Sequence, residues 1–376
     1  MDRMEAEDLS LFGLLGRSWQ LDAPIADLVF DQSDGAVAFA LADGSVAIAK
    51  IKDREPASGR IRVSVEDGRS SILPRSKPLP PIVRLSVQND LPVALTAYGK
   101  HGFVIGDSSG ALTSLTPGGE RTPFARPLNA PITTLAHAVA TGDLACATAD
   151  RKVVLIRRGQ PEPARLEVEG SIGALAFSPD GNQLAVACEG SVTLWDTAKH
   201  LEKRRELTPC EQPASLAWSP DQSALALGQQ KGGIRIWRLD GTDAISLADY
   251  PAPVRSLAWS ASGEQLVTGG AFRIIVWPLD QWHGNGLHPT SLTTGRPGLA
   301  TVEAVAAHPA HPLTAAGYEN GMLIVAQVGR PDELVIRAEG RGAIDKIAWS
   351  TNAGFIAIGS DQGLASIVEL PQQLFK

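Results

Sequence analysis

No apolar run in this chain approaches the roughly 20 residues that a membrane-spanning helix needs; Gly, Asp or Arg soon interrupts each one. A membrane partner is not expected. Basic residues are also outnumbered, with 34 Lys and Arg against 41 Asp and Glu and a net charge of -7, and neither sign forms a long run. The basic stripe of a nucleic-acid binder is missing, so no nucleic-acid partner is expected. Cysteine is scarce: Cys146, Cys188 and Cys210 are odd in number and lack CxxC spacing, and the first two lie in apolar, strand-like segments. They read as buried thiols, not as disulfides or a zinc cluster. The first residues, MDRMEAEDLSLFGLLGRS, place Glu5, Glu7 and Asp8 where a signal peptide carries Lys or Arg, and no small-residue cleavage site follows. A cytoplasmic protein is expected. The usual marks of catalysis are missing too. No Cys is flanked by His, and Gly232-Gly233 and Gly269-Gly270 fall in or beside strands, where tight hairpins explain them without a nucleotide. The chain is therefore expected not to be an enzyme and to hold no cofactor.

The chain does have apolar content, 44% against 20% charged residues, enough for a large core. It also has an internal repeat. Pro213 to Leu239 reads PASLAWSPDQSALALGQQKGGIRIWRL; SIGALAFSPDGNQLAVACEGSVTLWDT precedes it and VRSLAWSASGEQLVTGGAFRIIVWPL follows from Val254. Each copy has an alternating run ending in an aromatic, a Ser/Pro/Asp/Gly turn, a second run, a Gly-containing turn and a third run ending in Trp. That is three strands joined by two hairpins. Weaker copies extend the pattern. Anchored on the first apolar residue of the first strand, the units begin at Ile25, Ile82, Ile132, Ile172, Pro213, Val254, Val302 and Ile344. After a longer first interval the spacing is about 40 to 50 residues, and eight units result. The second unit has two possible first strands, Ile82 to Val87 or Pro92 to Tyr98, and the first is preferred because it follows a proline, as Ile25 does.

Such sheets cannot bury both faces alone and must pack face to face around an axis. The repeat length, the Trp195-Asp196 dipeptide ending a third strand, and Trp237 and Trp277 at equivalent places resemble the WD-repeat β-propeller family over roughly residues 17 to 370. The chain departs from that pattern in having no Gly-His dipeptide and a single Trp-Asp. The Asp of the second hairpin turn is kept at Asp43, Asp150 and Asp361 but not throughout. Blade stability is therefore expected to rest on apolar packing. The resemblance implies an all-β fold: one closed propeller of four-stranded blades, eight-bladed, with seven as the alternative. The later units are similar to bacterial cytoplasmic WD-repeat proteins, some associated with CobW-like metal-handling GTPases. The implied function is a monomeric, non-catalytic scaffold binding one or more proteins. The alternative is a metal-binding or metal-homeostasis-associated propeller, or a propeller enzyme using residues 278 to 311.

The eighth unit stops after a third strand, Leu364 to Leu370, and Leu14 to Leu21, with Trp19, has no unit of its own. Pairing the two would close the ring. This divides the chain into a tail (1–13), a propeller (14–370, with closing strand 14–21) and a second tail (371–376). Lys52 to Pro81 is expected to hold the fourth strand of unit one at Ile61 to Glu66, followed by a stiff proline-rich surface connection. Pro278 to Ala300 is an insertion whose Trp282, His283 and His288 form the candidate binding loop. His283, His288, His308 and His311 lack the spacing of a metal helix or ligand array, and His308 and His311 are read as turn residues. The candidate partner-binding rim is read from the two residues after each anchor: Asp27, Arg84, Arg255, Glu303, Asp345 and Lys346. These are three acids and three bases scattered around a ring, a mixture that suits a protein-binding face.

Overall fold

The computed structural model describes residues 10–64, 70–86, 91–199, 201–241, 244–279 and 289–371. Within them lie eight four-stranded antiparallel sheets and one two-stranded hairpin. First strands of successive sheets touch around the whole circuit, and that of the eighth touches that of the first. The architecture is an eight-bladed β-propeller.

The packing between blades explains the alternation in the sequence. Second strands such as Ala36–Leu41 (AVAFAL) are buried along their whole length, so the period of two is one of size, not polarity. In blade 1, Val37 and Phe39 face Ala357 of blade 8, whereas Ala36, Ala38 and Ala40 face Phe103 and Ile105 of blade 2. The same large-on-small seating recurs where Ala145 meets Leu184 and Val186, Ala185 and Ala187 meet Leu225 and Leu227, and Ala315 meets Ile356 and Ile358. Wedge-shaped gaps between radial sheets are filled by a large residue from one blade and a small one from its neighbour.

First strands carry a second device. In six blades the register shifts after the anchor residue, as between Ile25 and Asp27 or Ile344 and Lys346. The bulge turns the anchor toward the preceding blade. Ile25 thus lies against Gly359, where an added Cβ would come within 2.5 Å of its Cγ2, and Ile344 lies against Gly317 in the same way. Glycine is required at both places by this close approach.

Closure is as the chain ends suggest. Gly16–Gln20 pairs antiparallel with Leu364–Glu369, with Trp19 opposite Ala365. Leu14 and Leu15 do not join that strand; they end a short helix, Leu11–Leu15, which buries Leu15 in the core. The 52–81 insertion is more than a connection. Asp53 accepts an ion pair from Arg75 and lies 3.8 Å from Arg17 of the closing strand. Arg60 donates to the carbonyls of Leu73 and Leu14, Glu369 accepts the backbone N–H groups of Ala57 and Ser58, and Trp19 Nε1 donates to Pro80 O. The insertion straps the closing strand from outside.

Two expectations are corrected here. The fourth strand of blade 1 is Val83–Leu85, paired with Val46–Lys50, and Ile61–Val63 instead forms a separate hairpin with Ser70–Ile72. Blade 2 therefore starts at Ala94–Ala97. An outermost strand need bury little, so three residues suffice for it, and the apolar pattern of Ile82 to Leu85 does not distinguish outermost from innermost. All three cysteines are buried and free.

Candidate functional site at the channel mouth

First strands begin at one mouth of the central channel, and the bulge residue with its successor is placed there. Blades 2, 3, 4 and 5 contribute Val93 and Ala94, Thr133 and Thr134, Gly173 and Ala174, and Ala214 and Ser215, none of them charged. The charges come from Arg255 of blade 6, Glu303 of blade 7, Asp345 and Lys346 of blade 8, and Asp27 of blade 1. These four blades adjoin. The rim charges thus form one arc facing a neutral half, where the sequence alone reads as scattered. Arg84 is not among them, because it lies on the outermost strand of blade 1, where it pairs with Asp22 at 2.7 Å.

Within the arc a cavity of about 180 Å³ is lined by Arg255, Glu303, Asp345 and Lys346. Lys346 Nζ lies 2.8 Å from Asp345 Oδ2, whereas Asp345 Oδ1 is shielded from solvent and accepts no hydrogen bond among the described residues. Arg255 is 3.9 Å from Glu303, whose Oε1 accepts from Thr301 Oγ1 at 2.8 Å. Asp27 is reached by solvent in the channel yet crowded by protein atoms. That desolvation pushes its pKa up to about 6, against the opposing pull of the Leu28 N–H and of Lys346. The arc therefore holds carboxylates and cations in fixed places, with an unfilled acceptor among them.

The other expected residues fall elsewhere. Trp282, His283 and His288 of the candidate binding loop lie outside the described residues. His308 is buried in its turn, where Nδ1 accepts the N–H groups of Ala310 and His311, and its ring packs edge-on against Trp349. Burial and the neighbouring His311 lower its pKa. Among the described residues no three His, Cys, Asp or Glu side chains are grouped to hold a metal ion. The first-strand tryptophans clasp neighbouring blades: Trp218, Trp259 and Trp349 each donate Nε1–H to a first-strand carbonyl of the preceding blade, those of Ala176, Ala217 and Ala306. No helix among the described residues is long and apolar enough to cross a membrane.

The "WD domain, G-beta repeat" family model matches residues 165–196 and 245–278. Each match starts in the fourth strand of one blade and ends in the third strand of the next. The sequence unit is thus offset from the blade by one strand, which is why the last blade needs a strand from the N-terminus. Transducin beta-like protein 3 of Rattus norvegicus is 28% identical over 172 residues, covering 44% of this chain and 20% of the relative. Small ribosomal subunit protein RACK1y of Oryza sativa subsp. japonica is 35% identical over 85 residues, 20% of this chain and 25% of the relative. The chain thus spans a quarter or less of the length of these two relatives. A chain from the "Crystal Structure of Mitotic Checkpoint Complex" superposes with a TM-score of 0.58 at 12% identity, covering 94% of this chain and 95% of that one.

Proposed function

Because the chain belongs to the WD-repeat β-propeller family, we propose that it is a non-catalytic scaffold that docks one or more proteins at the channel mouth. The observation that carries this reading is the arc of Arg255, Glu303, Asp345, Lys346 and Asp27 on adjoining blades opposite a neutral half. An asymmetric set of mixed charges orients a partner and rejects mismatched ones, contributing to specificity and association rate more than to affinity. The same reading takes residues 14–370 as the propeller. It treats the protein as a cytoplasmic monomer, in keeping with its net charge of -7.

The test is affinity capture from the source cell's extract, with wild type compared with the double variant Arg255→Glu, Lys346→Glu. Proteins held by wild type and lost from the variant, then rebuilt as a saturable complex from purified components, support the reading. An identical set captured by both would place the docking surface elsewhere.

A further inference from the structure

At the opposite face of the ring, hairpin turns join first strands to second strands. Most blades share one design there, closed by bonds such as Ser178 N to Gln183 O, Ser219 N to Ala224 O and Ser350 N to Phe355 O. Blade 2 departs from it. Aligning the Ala97–Phe103 pair with Trp349–Ile356 of blade 8 puts Ala97 where the other blade has its clasping tryptophan. The turn that follows is shorter by one residue, closing from Tyr98 N to Gly102 O. A small side chain and a short turn leave a gap between blades 1 and 3. Across it Gln32 of blade 1 meets His137 of blade 3, Nε2 to Nδ1 at 3.2 Å. An amide N–H there makes Nδ1 the acceptor, and burial lowers the ring's pKa, so His137 stays neutral at neutral pH.

The resulting notch measures about 430 Å³. Tyr98 forms its wall, held by its hydroxyl donating to Gly142 O at 3.0 Å and by ring contacts with Phe124 and His137. Lys100 and Arg158 are exposed at its edge, and Val139 beside them is 69% exposed. Among the described residues no Asp or Glu lines the notch and neither cation makes an ion pair. Asp143 lies nearby, accepting the backbone N–H of Arg158 at 3.3 Å. On a protein of net charge -7 this is a cationic recess with an apolar lip.

We propose that this notch is a second docking site, which takes a segment of a partner protein carrying carboxylates next to an apolar side chain. The carboxylates pair with Lys100 and Arg158, and the apolar group covers Val139 and the Tyr98 wall. The wall is fixed by its own hydrogen bond and ring contacts, so binding orders little of the propeller.

The probe is a fluorescein-labelled hexapeptide of alternating glutamate and leucine, followed by fluorescence anisotropy with the full chain. A glutamine–leucine peptide and an oligothymidine of equal charge serve as comparisons. The proposal expects saturable binding of the glutamate–leucine peptide, at least about tenfold weaker in the Lys100→Glu, Arg158→Glu variant, a loss of about 1.4 kcal/mol. Val139→Asp should weaken it as well, and Lys231→Glu, at an exposed cation on blade 5 that lines neither site, should not. No saturation at millimolar peptide, equal binding by the charge-reversed variant, or equally tight binding of the oligothymidine would each overturn it.

Discussion

Replacing Arg17 tests whether the ring is held shut by polar contacts as well as by strand pairing. Arg17 lies on the closing strand with its side chain 7% exposed. Nη1 donates to Lys50 O and Nη2 to Ile51 O, both at 3.0 Å, and Nε is 3.8 Å from Asp53. Both carbonyls belong to blade 1, so one guanidinium joins the outermost strand of blade 8 to the end of the third strand of its neighbour. Burial lowers its pKa, while Asp53 works against that, and the group stays charged at neutral pH. Arg17→Met keeps the apolar stem and removes the fork. Two charged hydrogen bonds are lost and the buried carbonyl of Ile51 and the partly buried one of Lys50 lose this donor, while Asp53 keeps Arg75 as a partner. The cost should be about 3 to 5 kcal/mol. With about 2.1 cal/mol/K of unfolding entropy per residue, a 376-residue chain loses about 1.3 °C per kcal/mol, so Tm should fall by about 4 to 6 °C. Differential scanning calorimetry measures this. Arg17→Lys should recover only part, because one ammonium cannot span both carbonyls as the fork does. A Tm within about 1 °C of wild type for Arg17→Met, or full recovery by lysine, would show that strand pairing alone closes the ring.

Two further predictions concern the same seam and the channel. Gly359→Val places side-chain atoms where Ile25 already sits, with even the Cβ only 2.5 Å from its Cγ2, and should cost about 1 to 3 kcal/mol. In a double-mutant cycle read by chemical denaturation, Ile25→Ala should absorb part of that loss, and strict additivity would refute the seating of Ile25 on Gly359. Asp27 should titrate near 6 by carboxyl carbon NMR. Because its folded pKa lies above the unfolded value, the native state binds the extra proton between about pH 4 and 6, and its contribution to stability falls as pH rises through that window. Asp27→Asn should therefore gain on wild type from pH 4 to 7, and a midpoint near 4 would remove the crowding argument.

What was legible in the sequence follows from what repeats. The Ser178-Pro-Asp-Gly181 turn is visible because its own side chains build it: Ser178 Oγ donates to Asp180 Oδ1, and Asp180 accepts the N–H of Asn182. Alternation in Ala36–Leu41 was equally visible, but its meaning was not. Ala and Phe alternate because each face meets a different blade, and that is a property of the assembled ring. The three-residue strand Val83–Leu85 is not recognisable as part of blade 1 from sequence, because a long insertion separates it from its own blade, and the pattern therefore points Arg84 to a rim it never reaches.

The charge arc was hidden for a further reason, which bears on how such rings acquire a site. Asp27 and Lys346 stand near opposite ends of the chain, so a linear reading treats them as remote and counts the charges as dispersed. Closure makes blades 8 and 1 neighbours. Lys346 then acts directly on the Asp27 carboxylate. The strand that makes them neighbours, Gly16–Gln20, contributes none of the arc's residues, yet its pairing with Leu364–Glu369 and the hold of Arg17 on blade 1 complete the last blade and tie it to the first. If the arc is the docking surface, loosening the seam should weaken docking even though no rim residue has changed. Stability and recognition are then coupled through the closing strand, and Arg17→Met is a perturbation that reaches the rim without touching it.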